Sequence, residues 1–294
     1  MKTQSPDTSP DAERTLIELI RHAPLSKRFR LVQSLSQRML SGRNPRQEIR
    51  AEAIHTITCG YGKQIGQRVQ TALATRPLWQ EQPVDLAAIL LPVMHALQEA
   101  NISSYIGGSI ASSIHGMQQS ASDIDLVLIQ HKQTFLPVRV ALAALQDQYL
   151  VESEKISQTP HDSASFSLIH IGTLMKIDLI LPHTPGFDEA MQARVSPLLI
   201  DDRYAPFPLA SALEMGVWKL ARCAKELARS TNTMINDAEW NDVLGVLKIQ
   251  GTSLDITQLM YWAQILNTEH LLPLALDDAG FFLDEETSSH QLGE

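Results

Sequence analysis

Only two cysteines, Cys59 and Cys223, occur in the 294 residues, and they stand far apart. Two thiols do not make a disulfide framework, and no Cys/His cluster has the spacing of a zinc site. No uninterrupted apolar run approaches the roughly 18 to 20 residues that a membrane-spanning helix needs. The first twenty residues carry Pro6, Asp7, Pro10, Asp11 and Glu13 where a secretory leader would need an apolar core, so a cytoplasmic protein is expected. Basic residues are in the minority, with 24 Lys and Arg against 33 Asp and Glu and a formal charge of -9. That balance argues against a protein that simply coats nucleic acid, and leaves room for local basic patches. Internal repeats are absent. What remains, 44% apolar and 19% charged residues, describes an ordinary folded chain long enough to bury sizeable cores.

Three regions with different habits follow one another. Residues 1–80 read as short helices: Leu16, Ile17, Leu19 and Ile20 lie on a helical repeat with Asp11 as its cap, and after Pro24 the repeat resumes with Leu31, Val32, Leu35 and Met39. Within it, residues 27–50 hold Lys27, Arg28, Arg30, Arg38, Arg43, Arg46 and Arg50 against the single acid Glu48. Such an excess is either a solvated helix surface or a face for RNA or an acidic partner. Residues 76–83 break the pattern as a linker would. From Asp85 the chain alternates. Leu86, Ile89, Leu90, Val93, Met94 and Leu97 mark a helix face, followed by a strand over 104–106, a Gly-Gly turn, a helix over 109–115, a strand over 124–129 and a helix over 137–147. Strands over 166–171 and 174–181, joined at Gly172-Thr173, complete the series. The order predicts an α+β fold, a mixed β-sheet with flanking helices.

Beyond Pro208 the chain is helical again, with helices predicted over 209–228, 237–249, 255–265 and 271–276, Asp237 and Asp255 as N-caps, and Gly251 as a stop. The end of the chain carries Asp277, Asp278, Asp284, Glu285, Glu286 and Glu294 without a Lys or Arg, which predicts a frayed, solvated tail. The expected division is an N-terminal helical region 1–80, a sheet-bearing domain 84–205, a C-terminal helical domain 206–282 and an acidic tail 283–294.

The informative stretch is Tyr105-Ile106-Gly107-Gly108-Ser109, followed by Ser122-Asp123-Ile124-Asp125-Leu126. A strand ending in two glycines lets the backbone turn tightly and lets a ligand approach its amides. The first turn of the next helix offers unpaired N–H groups, a natural seat for phosphate, and Ser109 adds a hydroxyl at that rim. Asp123 and Asp125 lie one residue apart on a strand, so both carboxylates point to one face. Two like charges so close are costly to bury unless a cation sits between them, and magnesium, which takes one or two carboxylates plus substrate phosphates, meets that need. Asp178, the only acid in the strand Lys176-Ile177-Asp178-Leu179-Ile180-Leu181, is a third candidate. Three carboxylates beside a phosphate-seating turn suit two-metal phosphoryl transfer. Taken singly, an Asp-x-Asp pair also reads as a cap or a calcium-loop fragment, and Asp178 equally as the ion-pair partner of Lys176 or an arginine.

In this order, Gly107-Gly108-Ser109, Asp123-Ile124-Asp125 and Asp178 resemble the polymerase-β-type nucleotidyltransferase superfamily. Residues 85–181 are similar to its smaller bacterial members, the abortive-infection nucleotidyltransferase toxins and the minimal nucleotidyltransferases. Looser likenesses run to about residue 282, through Phe187-Asp188, Arg194-Val195, Lys219-Leu220, Glu239-Trp240-Asn241-Asp242 and Leu254-Asp255-Ile256. The resemblance implies that Asp123, Asp125 and Asp178 bind magnesium, two ions being expected, with Asp178 also the base for the acceptor hydroxyl. It implies that Gly107, Gly108 and Ser109 hold the β- and γ-phosphates of an NTP such as ATP, and that Lys219 neutralises triphosphate charge. Transfer of NMP to a hydroxyl of RNA (a tRNA end), a protein or a small molecule would follow, with a toxin-antitoxin or phage-defence role.

Related proteins often carry an arginine and a threonine just before the Asp pair, where Met117-Gln118-Gln119-Ser120-Ala121-Ser122 has no base. That departure supports a rival reading, a catalytically weak or inactive nucleotide-binding regulator on the same fold. Lys219 otherwise reads as a solvent-facing lysine, and Asp242 either lines the cleft or, more readily, is a helix-surface acid. His115 reads as a packing histidine, and His161, His170 and His183 lack metal-ligand spacing. Trp218, Trp240 and Trp262 fall on amphipathic helices and are expected in the core. No Gly-x-Ser-x-Gly elbow and no Gly-x-x-x-x-Gly-Lys-Ser/Thr loop is present.

Overall fold

A computed structural model describes residues 7–41, 85–121, 123–129, 136–151, 164–173, 175–182, 184, 186–229 and 237–281, with Thr3 and isolated positions between 54 and 71. The linker at 76–83, Arg43, Arg46, Arg50, Ser122, His161, His183 and the tail after Phe281 lie outside the described residues. The chain packs as two compact units, each assembled from separated segments.

One unit spans residues 29–110 and 119–209 and holds the sheet. Its strands are β1 (Ser103–Ile106), β2 (Asp123–Ile129), β3 (Tyr149–Val151), β4 (Ala164–His170), β5 (Lys176–Leu181), β6 (Ser196–Leu198) and β7 (Phe207–Leu209). They lie in the order β3-β4-β5-β2-β1-β7-β6. The β5/β2 and β1/β7 pairs are parallel and the rest antiparallel. The predicted mixed sheet with flanking helices is therefore present. Strand β2 is central because it reads as a near-continuous apolar run: Ile124, Leu126 and Leu128 are at most 1% exposed. Helix α3 (Leu86–Glu99) packs on β1. Its N-cap Asp85 accepts from the amides of Ala87 and Ala88 at 3.1 and 3.2 Å. Helix α5 (Leu136–Leu142) packs on α3. The Tyr149 hydroxyl, buried so that its pKa rises to about 12, donates to the Ile89 carbonyl at 2.6 Å.

Three strands and a helix escape the sequence pattern. Strands β3, β6 and β7 are three residues each, and in the β6/β7 pair Pro197 stands opposite Pro208. Prolines demote a run in any reading of strands, and such pairs survive here at a sheet edge. Leu209, expected to open a helix, ends β7 instead. Helix α6 (Phe187–Gln192) starts after Gly186 with no side-chain cap to announce it.

The other unit comprises residues 1–28, 111–118 and 210–294 and is helical. Helix α1 (Pro10–His22) is capped by Ser9, whose hydroxyl accepts from the Ala12 amide at 3.2 Å. Asp11 sits one position inside, where its charge favours the helix N-terminus and pairs with Arg14. Helix α2 (Leu25–Ser41) starts in this unit and continues in the sheet unit. Helices α7 (Ala212–Arg229), α8 (Asp237–Gln250), α9 (Ile256–Ile265) and α10 (Leu272–Ala279) complete it. Helix α8 packs against α1, α7 and α10. Asp255 caps α9 as expected, accepting from the Gln258 amide at 3.0 Å. Trp240 and Trp262 are buried, whereas Trp218 is half-buried beneath the Arg222 guanidinium.

Arg21 fastens α1 to the C-terminal end of α8. Its Nε and Nη2 donate to the carbonyls of Ile249 and Lys248 at 3.0 and 2.6 Å. Those are carbonyls a helix end leaves unpaired, on its partially negative pole. Arg21→Lys replaces the two-pronged donor with a point charge. It is expected to cost about 1.5 kcal/mol, lowering Tm by a few degrees in calorimetry. Among the described residues, no helix is long and apolar enough to cross a membrane.

Candidate active site

The glycine turn, the Asp pair and Asp178 fall on neighbouring elements of the sheet unit. Strands β2 and β5 run parallel with Asp125 paired in register to Asp178 and Asp123 paired to Lys176. Side chains two residues apart share a face, so all four ionisable groups emerge from the same side of the sheet. Asp125 is buried, at 8% exposure. Asp178 is held at both oxygens: the Ser167 hydroxyl on β4 donates to Oδ1 at 2.5 Å, and Lys176 Nζ donates to Oδ2 at 2.6 Å. The ion pair with Lys176, one of two readings of Asp178, is thus present.

The turn after β1 is locked to the same acids. The Gly107 amide donates to the Asp125 carbonyl at 2.9 Å, and Gly108 opens helix α4 (Gly108–His115) with φ +57°. Side chains rarely adopt that conformation. Space forbids one as well: a Cβ on Gly108 would stand 1.6 Å from Asp125 Oδ2. The glycine therefore lets the start of α4 lie directly on the Asp125 carboxylate. Ser109, half-buried, follows in the first turn.

Hard oxygen donors on adjacent strands match what magnesium accepts, one or two carboxylates completed by phosphate and water. Asp125 and Asp178 supply such a pair by register, with Asp123 one step along the face. Among the described residues, no group of three His, Cys, Asp or Glu side chains stands gathered as a ready metal cage.

Lys219 belongs to the helical unit. It is neither solvent-facing nor alone: its side chain is 4% exposed, and Nζ lies 2.6 Å from Asp242 and 3.0 Å from Glu239. Burial works to lower its pKa, and the two carboxylates outweigh that and raise it. Asp242 is no surface acid. Burial raises its pKa against the pull of Lys219, and it accepts from the Ser112 hydroxyl at 3.4 Å. Arg222 adds a second cation on Glu239 at 2.9 Å. Cys223 is buried there, and its thiol is pushed up to about 12 by burial and by Glu239 and Glu226, so it is not a nucleophile at neutral pH.

The basic stretch is partly spent on structure. Arg28 is buried and donates to the carbonyls of Ala23, Arg21 and Ile114, and Arg30 donates to that of Ile200. Sequence reasoning did not name Ser167, whose alignment with Asp178 follows only from the antiparallel β4/β5 register. Lys176 was legible as a neighbour two residues along the strand.

His115 packs, as its surroundings suggested. Nε2–H donates to the Ala210 carbonyl at 2.7 Å, and burial, with the charge of Arg28, lowers the pKa to about 4. Unfolded, the ring titrates near its usual 6.5. The stabilisation is present above pH 6.5 and is lost as pH falls towards 4, because the unfolded chain binds the extra proton. About 3 kcal/mol is at stake at about 1.4 kcal/mol per pKa unit. The Tm of His115→Gln, which keeps a donor near Ala210, is expected to fall less between pH 7 and pH 4.

No family model matches the chain, and no curated protein matches it. Among solved structures, it is similar to an antigenic nucleotidyltransferase-like protein from Paracoccidioides brasiliensis, with 16% identity over 66% of this chain and 92% of that one and a TM-score of 0.39. A cytoplasmic RNA terminal U-transferase matches at 13% identity, covering 58% of this chain and 47% of that one, with a TM-score of 0.29. The non-canonical poly(A) polymerase complex GLD-2–GLD-3 matches at 14% identity, covering 80% and 97%, with a TM-score of 0.21. At these scores the likeness assigns no function to the chain.

Proposed function

We propose that the protein is a nucleotidyltransferase that moves a nucleoside monophosphate from an NTP to an acceptor hydroxyl. The observation that carries this reading is the seating of Gly108 on Asp125. It sets the glycine turn against a carboxylate pair, and it tolerates no side chain. In the reaction the acceptor oxygen bonds to the α-phosphorus, the bond from that phosphorus to the β-bridging oxygen breaks, and pyrophosphate leaves. Asp178 takes the proton of the acceptor hydroxyl. The amides of Gly108 and Ser109, with the Ser109 hydroxyl, bind the β- and γ-phosphates at the partially positive start of α4. Asp123, Asp125 and Asp178 hold magnesium, expected as two ions, which when bound neutralises the phosphate charge that builds up in transfer. The charge of Lys219, which the resemblance assigns to the triphosphate, is already engaged by Asp242 and Glu239. Acceptors that fit are a tRNA end, a protein hydroxyl or a small molecule. The bases between 27 and 50 favour RNA, and a toxin-antitoxin or defence role belongs to the same proposal.

A second reading keeps the fold as a nucleotide-binding regulator without turnover. It is favoured by the lack of any base between Met117 and Ser122, and by the capture of Lys176 and Lys219 by carboxylates. Thermal shift with each NTP, with and without magnesium, tests nucleotide binding, which both readings require. Only a ligand that prefers the folded chain raises its Tm. A magnesium-dependent rise with at least one NTP is expected, and no rise with any would end both readings.

A further inference from the structure

Resting on the reading of Asp123, Asp125 and Asp178 as the magnesium site, we propose that Lys176 is the site's resident counter-cation. In the metal-free protein it holds Asp178 and competes with any divalent ion. Three carboxylates on one sheet face, two of them directly opposite across β2/β5, repel one another and need positive charge nearby. The fold supplies one such charge from within: Lys176 is the register partner of Asp123, and its Nζ lies 2.6 Å from Asp178 Oδ2. Both side chains are largely shielded from water, at 23% and 15% exposure, so their attraction is screened less than on an open surface. Ser167 fixes the other oxygen of the same carboxylate and holds it in place for the lysine. A lysine suits an exchangeable role, because its ammonium is a point charge on a flexible stem and can leave the carboxylate without disturbing the strand. The consequence is a site that binds a bare divalent ion weakly and admits it more readily with the negative charge of a nucleotide. Lys176 is in this account a positioning residue and not a catalytic one.

The test is manganese binding without nucleotide at pH 8, read from the electron paramagnetic resonance signal of the free ion. Lys176→Met is expected to bind Mn2+ about tenfold more tightly than wild type and to melt at a lower temperature when metal-free. Lys176→Arg, which keeps the charge, is expected to stay within about threefold of wild type. Equal or weaker binding by folded Lys176→Met overturns the role of Lys176 while leaving the metal site intact. Absence of Mn2+ binding in every protein overturns the metal site and this proposal together. Should Lys176→Met fail to fold, reductive methylation of wild type read by peptide mass spectrometry decides. Saturating Mg2+ is expected to speed labelling of Lys176, and an unchanged rate overturns the proposal.

Discussion

Asp125→Asn is expected to lower kcat/KM for nucleotide transfer about a thousandfold, roughly 4 kcal/mol of transition-state stabilisation, while leaving the fold at least as stable as wild type. The two effects separate because Asp125 does two opposed things. Its charge is the buried half of a cross-strand carboxylate pair, and like charges directly opposite in a sheet destabilise it. Asparagine keeps the shape and the approach to Gly108, and discards the repulsion. Calorimetry should show a Tm equal to wild type or about 2 °C higher, the signature of a group kept for function at the expense of stability. A variant that loses activity only by unfolding would assign Asp125 to the architecture instead.

Gly108→Ala should lose activity and stability together. An alanine at φ +57° carries about 1 kcal/mol of backbone strain. A methyl group 1.6 Å from Asp125 Oδ2 cannot be accommodated without moving either the helix start or the carboxylate. Strain and overpacking together are expected to cost about 3 kcal/mol or more, with transfer reduced beyond what the remaining folded fraction explains. Gly186→Ala is the internal control. Its φ is +82°, yet nothing lies within 4 Å of where its Cβ would be. With ψ at -52° that residue lies outside the left-handed helical region, so only backbone strain of about 1–3 kcal/mol should appear there, with activity untouched. Equal losses at the two positions would mean that the contact with Asp125 contributes nothing.

Much of this arrangement was legible in the chain because its signals are local. The run after Asp123 is apolar enough to announce a buried strand, and Gly107-Gly108 before a helical repeat announces a tight turn. Asp-x-Asp spacing alone puts two carboxylates on one face, and Lys176 stands close enough to Asp178 in sequence to be weighed as its partner. What escaped depends on distant parts of the chain. The register that sets Asp125 against Asp178, and Ser167 beside it, is decided by strand pairing across some fifty residues. Lys219 and Asp242 each look like ordinary polar positions on amphipathic helices. Only the packing of α7 on α8 buries them against each other. The short strands β6 and β7, with their opposed prolines, are held by tertiary pairing and not by their own propensity.

The central claim is a transfer reaction, and the most direct test is to follow its product. Purified protein is incubated with magnesium, each of the four α-labelled NTPs in turn, and either total tRNA or cell lysate, alongside the Asp123→Ala/Asp125→Ala double variant. Covalent label in an RNA or protein band, dependent on magnesium and absent with the double variant, is the expected result. Failure of every NTP to label any acceptor, from a protein whose Tm nonetheless rises with NTP and magnesium, would contradict it and leave a nucleotide-binding regulator in its place.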